Sequence, residues 1–307
     1  MPACLAFYLL LIAPVVDARL QELRREFNAV QILANSDCLV LCDHSTPDIL
    51  RPFLPAKGPP ISTFAGVVRA SYLDRVIEIQ AGDVLWQNAE CHLIGECRRL
   101  ESLDLTDQPI DDDGLKVLRH LSLLGHLNLS GTHVSDTGIV RCLESFPDLY
   151  EVNLESTRAT DRCTIALGDL ARRGRLPRLA VLDFSSTAVT DVACRSIANC
   201  RTIRELRLND TAISDTGITF LTASKGLESL EISKSNLTIK SALALANMRS
   251  LKYLSMKGTR CDDFWLNQLA TLPNLIELDV RETGVTQSGV EYVERTAPMI
   301  RTVKWAR

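Results

Sequence analysis

The stretch from Leu206 to Ile218, LRLNDTAISDTGI, combines an alternating hydrophobic pattern with a signal for the start of a helix. Leu206 and Leu208 alternate with polar residues, which is the period of a β-strand that buries one face. Ser214 is a favoured helix N-cap residue, and Asp215 follows where a negative charge suits the positive end of a helix dipole. The stretch therefore predicts a short strand, a turn and a capped helix in immediate succession.

The same unit recurs along the chain at a nearly constant step. A pattern of the form L-x-x-L-x-L begins at nine positions, with steps of 24, 25, 30, 24, 24, 24, 24 and 25 residues. These positions are Leu100, Leu124, Leu149, Leu179, Ile203, Leu227, Leu251, Leu275 and Ile300. One unit cannot bury its own apolar face, so successive units have to stack. Residues 73–307 are therefore predicted to form an α/β solenoid of about nine repeats, with a further degenerate strand at residues 76–79.

Polar columns between the strands and the helices support this prediction. A hydroxyl or amide residue recurs three positions past the second strand leucine and is expected to pair with exposed backbone groups. The next polar column consists of helix N-cap residues: Asp111, Ser135, Thr160, Thr190, Ser214, Thr238, Asp262 and Thr286. Asp follows the cap in six units, where we expect it to favour the helix dipole. Small residues two positions further on are expected to let each helix approach the sheet closely.

The strings LNLSGTHVSDTGI (127–139), LRLNDTAISDTGI (206–218) and LDVRETGVTQSGV (278–290) resemble the T-D-x-G-L class of leucine-rich repeats. This cysteine-containing class occurs in F-box proteins and in many bacterial proteins. The N-terminal layout is similar to that of planctomycete membrane-anchored members: an apolar leader, a basic helix (ARLQELRREFNAVQIL, 18–33), a short strand and a degenerate first repeat. The resemblance implies a leucine-rich repeat solenoid. The sequence departs from the pattern at Ile239, which replaces Asp, and in the third unit, which is six residues longer.

The first 16 residues contain an apolar run, Ala3 to Val16, that is interrupted by Pro14. A helix of this length spans about 21 Å, less than the ~30 Å hydrocarbon core of a bilayer. Three interpretations are open: a short membrane anchor, an atypical signal sequence, or a buried first helix. We expect the anchor, and with it a membrane-associated rather than cytoplasmic or secreted protein. Residues 17–72 are predicted to cap the first repeat, with a helix over 17–34 and a strand at CLVLC (38–42).

Composition and motifs exclude several function classes. The net charge of −4 argues against a nucleic-acid binder. No nucleotide-binding, zinc-protease or nucleophile-elbow motif is present, so we expect neither an enzyme nor a cofactor. Cysteines on apolar columns, among them Cys142, Cys194 and Cys261, are expected to be buried thiols.

Two further groups of residues, the Cys/His sets and the arginine-rich insertion, each have an alternative functional interpretation. The sets Cys38, Cys42, His44 and Cys91, His92, Cys97 do not have the usual zinc spacing, and metal binding is not expected. The arginine-rich insertion ARRGRLPR (171–178) is expected to be a solvated loop. Its alternative is a contact for an acidic partner or for lipid headgroups.

The outward-facing strand residues predict a concave working surface, with three residues per unit. In units one to four these twelve residues include Asp104, Glu151, Glu155 and Asp183 but no Lys or Arg, whereas units five to nine balance four acids with four bases. The surface has few large aromatic residues, which indicates either a weak polar interface or a binding site elsewhere on the solenoid. The candidate partner-binding residues are Asp104, Glu151, Glu155, Asp183, Glu205, Arg207, Tyr253 and Arg281.

Two functions remain at this point. The first is a scaffold that binds a protein partner through the repeat surface and is tethered to a membrane by its N-terminus. The alternative is the substrate-recognition subunit of an F-box ubiquitin ligase, which requires an adaptor-binding module before the repeats.

Overall fold

The structure, a computed structural model, describes residues 21, 39–43, 61–63, 66–68, 75–80 and 88–305. The apolar leader (1–16) lies outside these residues, as does most of the basic segment expected to be helical (17–34), in which Gln21 is helical. Cys38 and His44, for which metal binding is not expected, also lie outside them.

Short strands alternate with helices through the described part of the chain. The strands are β1 (Leu39–Asp43), β2 (Ile61–Thr63), β3 (Gly66–Val68), β4 (Arg75–Gln80), β5 (Ser102–Asp104), β6 (His126–Asn128), β7 (Glu151–Asn153), β8 (Val181–Asp183), β9 (Glu205–Arg207), β10 (Ser229–Glu231), β11 (Tyr253–Ser255), β12 (Glu277–Asp279) and β13 (Thr302–Lys304). The helices are α1 (Asn88–Gly95), α2 (Asp112–Leu118), α3 (Asp136–Leu143), α4 (Asp161–Arg172), α5 (Asp191–Ile197), α6 (Asp215–Leu221), α7 (Ile239–Leu245), α8 (Asp263–Leu269) and α9 (Gln287–Thr296).

The ten strands from β4 to β13 form one curved parallel sheet in chain order, and β1 is antiparallel to β4 at its first edge. The register is constant from repeat to repeat, so that Leu103 lies opposite Leu127 and Leu206 lies opposite Leu182 and Leu230. Strands β2 and β3 pair separately as an antiparallel ribbon. The predicted solenoid is confirmed.

A continuous apolar core lies between the sheet and the helices. The inner strand leucines, such as Leu206 and Leu208, are completely buried, as are helix residues such as Ile218 and Leu221. Burial raises the pKa of the Cys163 and Cys194 thiols to about 12, and it also raises the pKa values of Cys142 and Cys261. The prediction that the repeat cysteines are buried thiols is confirmed for these positions.

The hydroxyl column after the strands works as predicted. The hydroxyls of Thr132, Thr211 and Thr259 each donate 2.7 Å hydrogen bonds to the carbonyl oxygen three residues earlier. Each bond satisfies a backbone acceptor at the point where the strand ends. Ser235 departs from the column, because its buried hydroxyl has no partner among the described residues.

All eight predicted N-caps are confirmed, since each cap side chain accepts a backbone N–H from the first helical turn. The Asp that follows the cap has a further role that the dipole interpretation did not include. Its carboxylate reaches the next repeat and accepts both the N–H and the hydroxyl of the next cap. Asp112 does so with Ser135 at 2.7 and 2.6 Å, and Asp136 does so with Thr160 at the same distances. A ladder of carboxylates therefore joins adjacent helix N-termini.

The small-residue column also has a role that the sequence interpretation did not include. A Cβ atom added at Gly217 would lie 2.5 Å from Oδ1 of Asp191, the ladder residue of the preceding repeat. At Gly138, Gly217 and Gly289 the missing Cβ therefore makes room for the ladder carboxylate of the preceding repeat. Where Ile239 replaces the ladder Asp, the corresponding position in the next repeat is the bulky, buried Trp265.

Candidate partner-binding surface on the concave face

Each unit turns three side chains away from the core, and the second of them often has a structural task. Oδ1 of Asp104 accepts the N–H of Thr106 at 2.9 Å, and Oδ1 of Asp183 accepts the N–H of Ser185 at 2.8 Å. Asn128 and Asn153 hold equivalent bonds in the repeats between them. These short polar side chains fix the turn that leaves the strand. Asp104 and Asp183 are therefore turn residues as well as surface charges.

Glu151 and Glu155 have no such backbone bond. Oε2 of Glu151 lies 3.2 Å from Nδ1 of His126 on the neighbouring strand. The half-buried carboxylate of Glu155 makes no ion pair or hydrogen bond among the described residues. Burial raises the pKa of Glu155, and the nearby carboxylate of Asp183 raises it further. Glu155 is thus a partly desolvated negative charge without a bonded cation.

Arg207 is the centre of the acidic part of the surface. Its guanidinium contacts Glu205 directly, lies 3.2 Å from Oε1 of Glu231 and lies 3.7 Å from Oδ2 of Asp183. Three carboxylates on three adjacent strands therefore share one arginine. The electrostatic match is incomplete, because two of the negative charges have no cation of their own.

The C-terminal part of the surface is internally neutralised. Arg281 bonds to Asp279 at 2.6 Å, Lys257 lies 3.0 Å from Glu282, and Lys304 contacts Glu277. Tyr253 is half-buried among these pairs. Burial raises the pKa of its hydroxyl, and the nearby Glu231 adds to the effect. Little net charge remains here for a partner.

The structure corrects one expectation about units one to four. We expected their acids to lie without a nearby base, but Arg207 of the fifth unit reaches Asp183. Asp183 is also only 5% exposed, so it offers a partner little surface. Of the four acids, Glu151 and Glu155 are the ones that combine accessibility with the absence of a backbone role.

The list of candidate partner-binding residues left out two acids of this surface. Glu231 binds both Arg207 and the side-chain amide of Asn209, the latter at 2.9 Å. Asp107 lies just past the first strand in a left-handed conformation (φ 57°) and contributes negative charge near Glu155. The signal for Asp107 was available, since Asp, Asn and Gly favour that conformation and Gly131 occupies the equivalent position in the next unit.

The described residues bring no three His, Cys, Asp or Glu side chains together as metal ligands. Cys91 and Cys97 are buried, whereas His92 between them is exposed. None of the helices in the described ranges has the length and apolarity needed to cross a bilayer.

The fold and the repeat columns are those of a leucine-rich repeat solenoid. A family model described as "Leucine Rich repeat" matches residues 96–118 and 199–221. Among solved structures, the chain is similar to an internalin (inlF) from Listeria monocytogenes, at 19% identity and a TM-score of 0.46, over 74% of this chain and 73% of that one. It is also similar to internalin C2 (inlC2) of the same organism, at 19% identity and a TM-score of 0.47, over 77% of this chain and 87% of that one. No curated protein matches significantly.

Proposed function

We propose that the protein is a non-enzymatic binding scaffold whose concave face holds a basic segment of a protein partner. The observation that carries the proposal is the unpaired carboxylate of Glu155, which lies close to Asp183 on the neighbouring strand. A cationic side chain placed against Glu155 would compensate an acid that has no bonded cation of its own, in a partly desolvated site. Charge-assisted contacts of this kind are stronger than those on an open surface.

The surrounding charges support the same kind of partner. Glu151 and Asp104 extend the negative region towards the first repeats, while Arg207 is already engaged by Glu205 and Glu231. Parallel strands place one such row of side chains about every 5 Å, a spacing that suits an extended segment crossing the strands. Long-range attraction should raise the association rate, and salt should lower it.

The test uses the full chain and a lysine- and arginine-rich peptide as the probe. The double variant Glu151→Gln with Glu155→Gln should weaken binding several-fold, and binding of the unsubstituted chain should weaken as salt rises. The matched control is Glu144→Gln with Glu294→Gln, which removes the same charge from exposed positions away from the concave face. Equal weakening by both variants would show that only net charge matters, and it would refute a concave site.

Tethering through residues 1–16 remains part of this proposal and rests on the apolar run Ala3 to Val16. The F-box alternative needs a helical module before the repeats, and that part of the chain lies mostly outside the described residues. No feature of the described repeats favours it over a general scaffold.

A further inference from the structure

The two long edges of the solenoid differ in composition. The loops that lead from each helix to the next strand form one edge, which we call the return edge. The loops from each strand to the following helix form the opposite edge, which we call the cap edge. Because β5 to β13 are parallel and in register, loops of one kind line up along one side of the sheet.

Positive charge is concentrated on the return edge. Its loops, from residue 96 to residue 301, contain twelve Arg or Lys and five Asp or Glu, whereas the cap-edge loops contain five and six. Helix C-termini lie at the return edge, and their dipoles favour cations only within the last turn. Arg175, Arg201 and Arg249 lie three or four residues beyond their helices, so the dipole does not account for them.

The central basic residues of the return edge recur at one position of the repeat. Arg201, Lys225 and Arg249 are separated by 24 residues each and occupy the same position in three successive repeats. The longer third unit adds Arg173 and Arg175 beside them. The result is a row of positive charges across four adjacent repeats.

Several of these side chains have no structural task. Among the described residues, Arg173, Arg175, Arg201 and Arg249 take part in no ion pair and donate no side-chain hydrogen bond. By contrast, Arg204 binds the carbonyl oxygens of residues 201, 203 and 226. The free guanidinium groups are therefore available to an outside anion.

Exposed apolar residues flank this row on the same edge. Leu123 (45% exposed) and Tyr150 (43%) lie on the N-terminal side, and Ile276 (40%) and Met299 (57%) lie on the C-terminal side. The cap-edge loops themselves contain no exposed large hydrophobic residue, although Val192, Ile239 and Phe264 are exposed in the first helical turns beside them. Cations and apolar side chains together on one edge are typical of a surface that lies at a lipid interface.

We propose that the return edge rests against an anionic lipid surface. The central arginines would contact headgroup phosphates, and the flanking apolar side chains would enter the interfacial layer. Aliphatic side chains have little use at a nucleic-acid backbone or at an acidic protein surface, whereas the acyl boundary accommodates them. This contact lies on a different side from the concave face, which stays open to the basic partner proposed above.

The test is co-sedimentation of the full chain with vesicles of phosphatidylcholine alone or with roughly one-third phosphatidylserine. The variant Arg175→Glu, Arg201→Glu, Arg249→Glu is compared with Arg158→Glu, Arg162→Glu, Arg260→Glu. The control triple makes the same charge change among exposed residues at or near the cap edge. The return-edge triple should lower partitioning to anionic vesicles by about tenfold or more, and the control triple should change it much less.

A second variant tests the apolar component. Leu123→Ser with Met299→Ser should reduce vesicle binding while leaving its salt dependence unchanged, because no charge is altered.

Three results would overturn the proposal. One is the absence of anionic-vesicle binding by the full chain. Another is equal vesicle binding by the return-edge and control triple variants, or equal binding of the full chain to neutral and anionic vesicles. Either result would assign membrane contact to another segment. The third is binding to poly-glutamate, but not to vesicles, that the return-edge triple abolishes, which would identify an acidic protein as the partner. The basic-peptide assay does not depend on these outcomes, so the two proposals fail separately.

Discussion

Asp191 of one repeat accepts both the backbone N–H and the hydroxyl of Ser214, the residue that caps the helix of the next repeat, at 2.7 and 2.6 Å. The cap hydroxyl in turn accepts the N–H of Thr216 at 3.2 Å. Three groups at a helix N-terminus are therefore satisfied through one carboxylate from the neighbouring repeat.

The ladder also explains which residue type serves as each cap. A Ser or Thr hydroxyl can donate to the carboxylate of the preceding repeat, whereas an Asp cap would be repelled by it. The two Asp caps occur where no ladder carboxylate precedes them. Before Asp111 the ladder position is occupied by Asn88, whose amide donates to Asp111 at 2.6 Å. Before Asp262 the ladder position is occupied by Ile239. Asp262 caps its helix alone, accepting the N–H groups of residues 264 and 265.

Removal of a ladder carboxylate should lower the free energy of unfolding by more than removal of a charge that acts only on the helix dipole. We expect Asp191→Ala to lower the free energy of unfolding by about 1–3 kcal/mol, because two charge-assisted bonds are lost and a cap is left unsupported. Asp113→Ala is the control, since Asp113 is an exposed first-turn acid whose side chain bonds to no cap; about 0.3–1 kcal/mol is expected there. Urea denaturation measures both. Equal losses would mean that Asp191 acts only on the dipole.

The small-residue column should be coupled energetically to the ladder. Gly217→Ala should stabilise the protein by less than the about 1 kcal/mol that Ala gains over Gly as a helix former, because the new Cβ lies 2.5 Å from Oδ1 of Asp191, which has to shift. This steric penalty should be smaller when Asp191 is already Ala. A double-mutant cycle of urea midpoints measures this coupling, and additive effects would contradict a steric link between the two columns.

Stability should depend on pH through Asp215. Burial by itself would raise the pKa of this carboxyl group, but hydrogen bonds from Ser241 and Thr238 lower it below the ordinary value of 3.8. A lowered folded-state pKa means that the stabilisation is present above about pH 4 and is lost as pH falls through the folded-state pKa.

The comparison for this effect is Asp215→Asn. The stability difference between the original chain and this variant should be constant near neutral pH and should shrink below about pH 4, as Asp215 takes up a proton. Thermal unfolding over a pH series measures the difference. A gap that widens with acid would have the wrong sign for this linkage.

Stability should depend on the hydroxyl group of each cap residue rather than on its methyl group. Thr190→Ala should cost about 0.5–2 kcal/mol for the cap alone, and the unsatisfied Asp161 carboxylate should place it at or above the upper end of that range. Thr190→Ser keeps the hydroxyl and should cost much less. Similar losses in both variants would assign the effect to methyl packing.

The N-terminal run predicts a change in fractionation. If residues 3–16 anchor the protein, a chain that starts at Asp17 should bind membranes less tightly than the full chain. Any binding that remains should depend on salt and on the return-edge arginines, because it would then be electrostatic. Cell fractionation of both chains at low and high salt checks this. Identical distributions would refute the anchor.

The sequence by itself determined the repeat length, the strand and helix of each unit and the eight caps, because these follow from local periodicity and from side chains that bond within a few residues. It also placed the outward-facing acids on one surface. The tertiary structure decided which atoms of neighbouring repeats meet. Asp191 reaches Ser214 across 23 residues, and Arg207 reaches Asp183 across 24. Such contacts depend on the lateral offset between stacked repeats and on side-chain direction, and neither is encoded in the pattern of one repeat. Because of this offset, Asp191 forms a bond between repeats in addition to facing the helix dipole. The same offset leaves Glu155 as an acid of the concave face without a bonded cation.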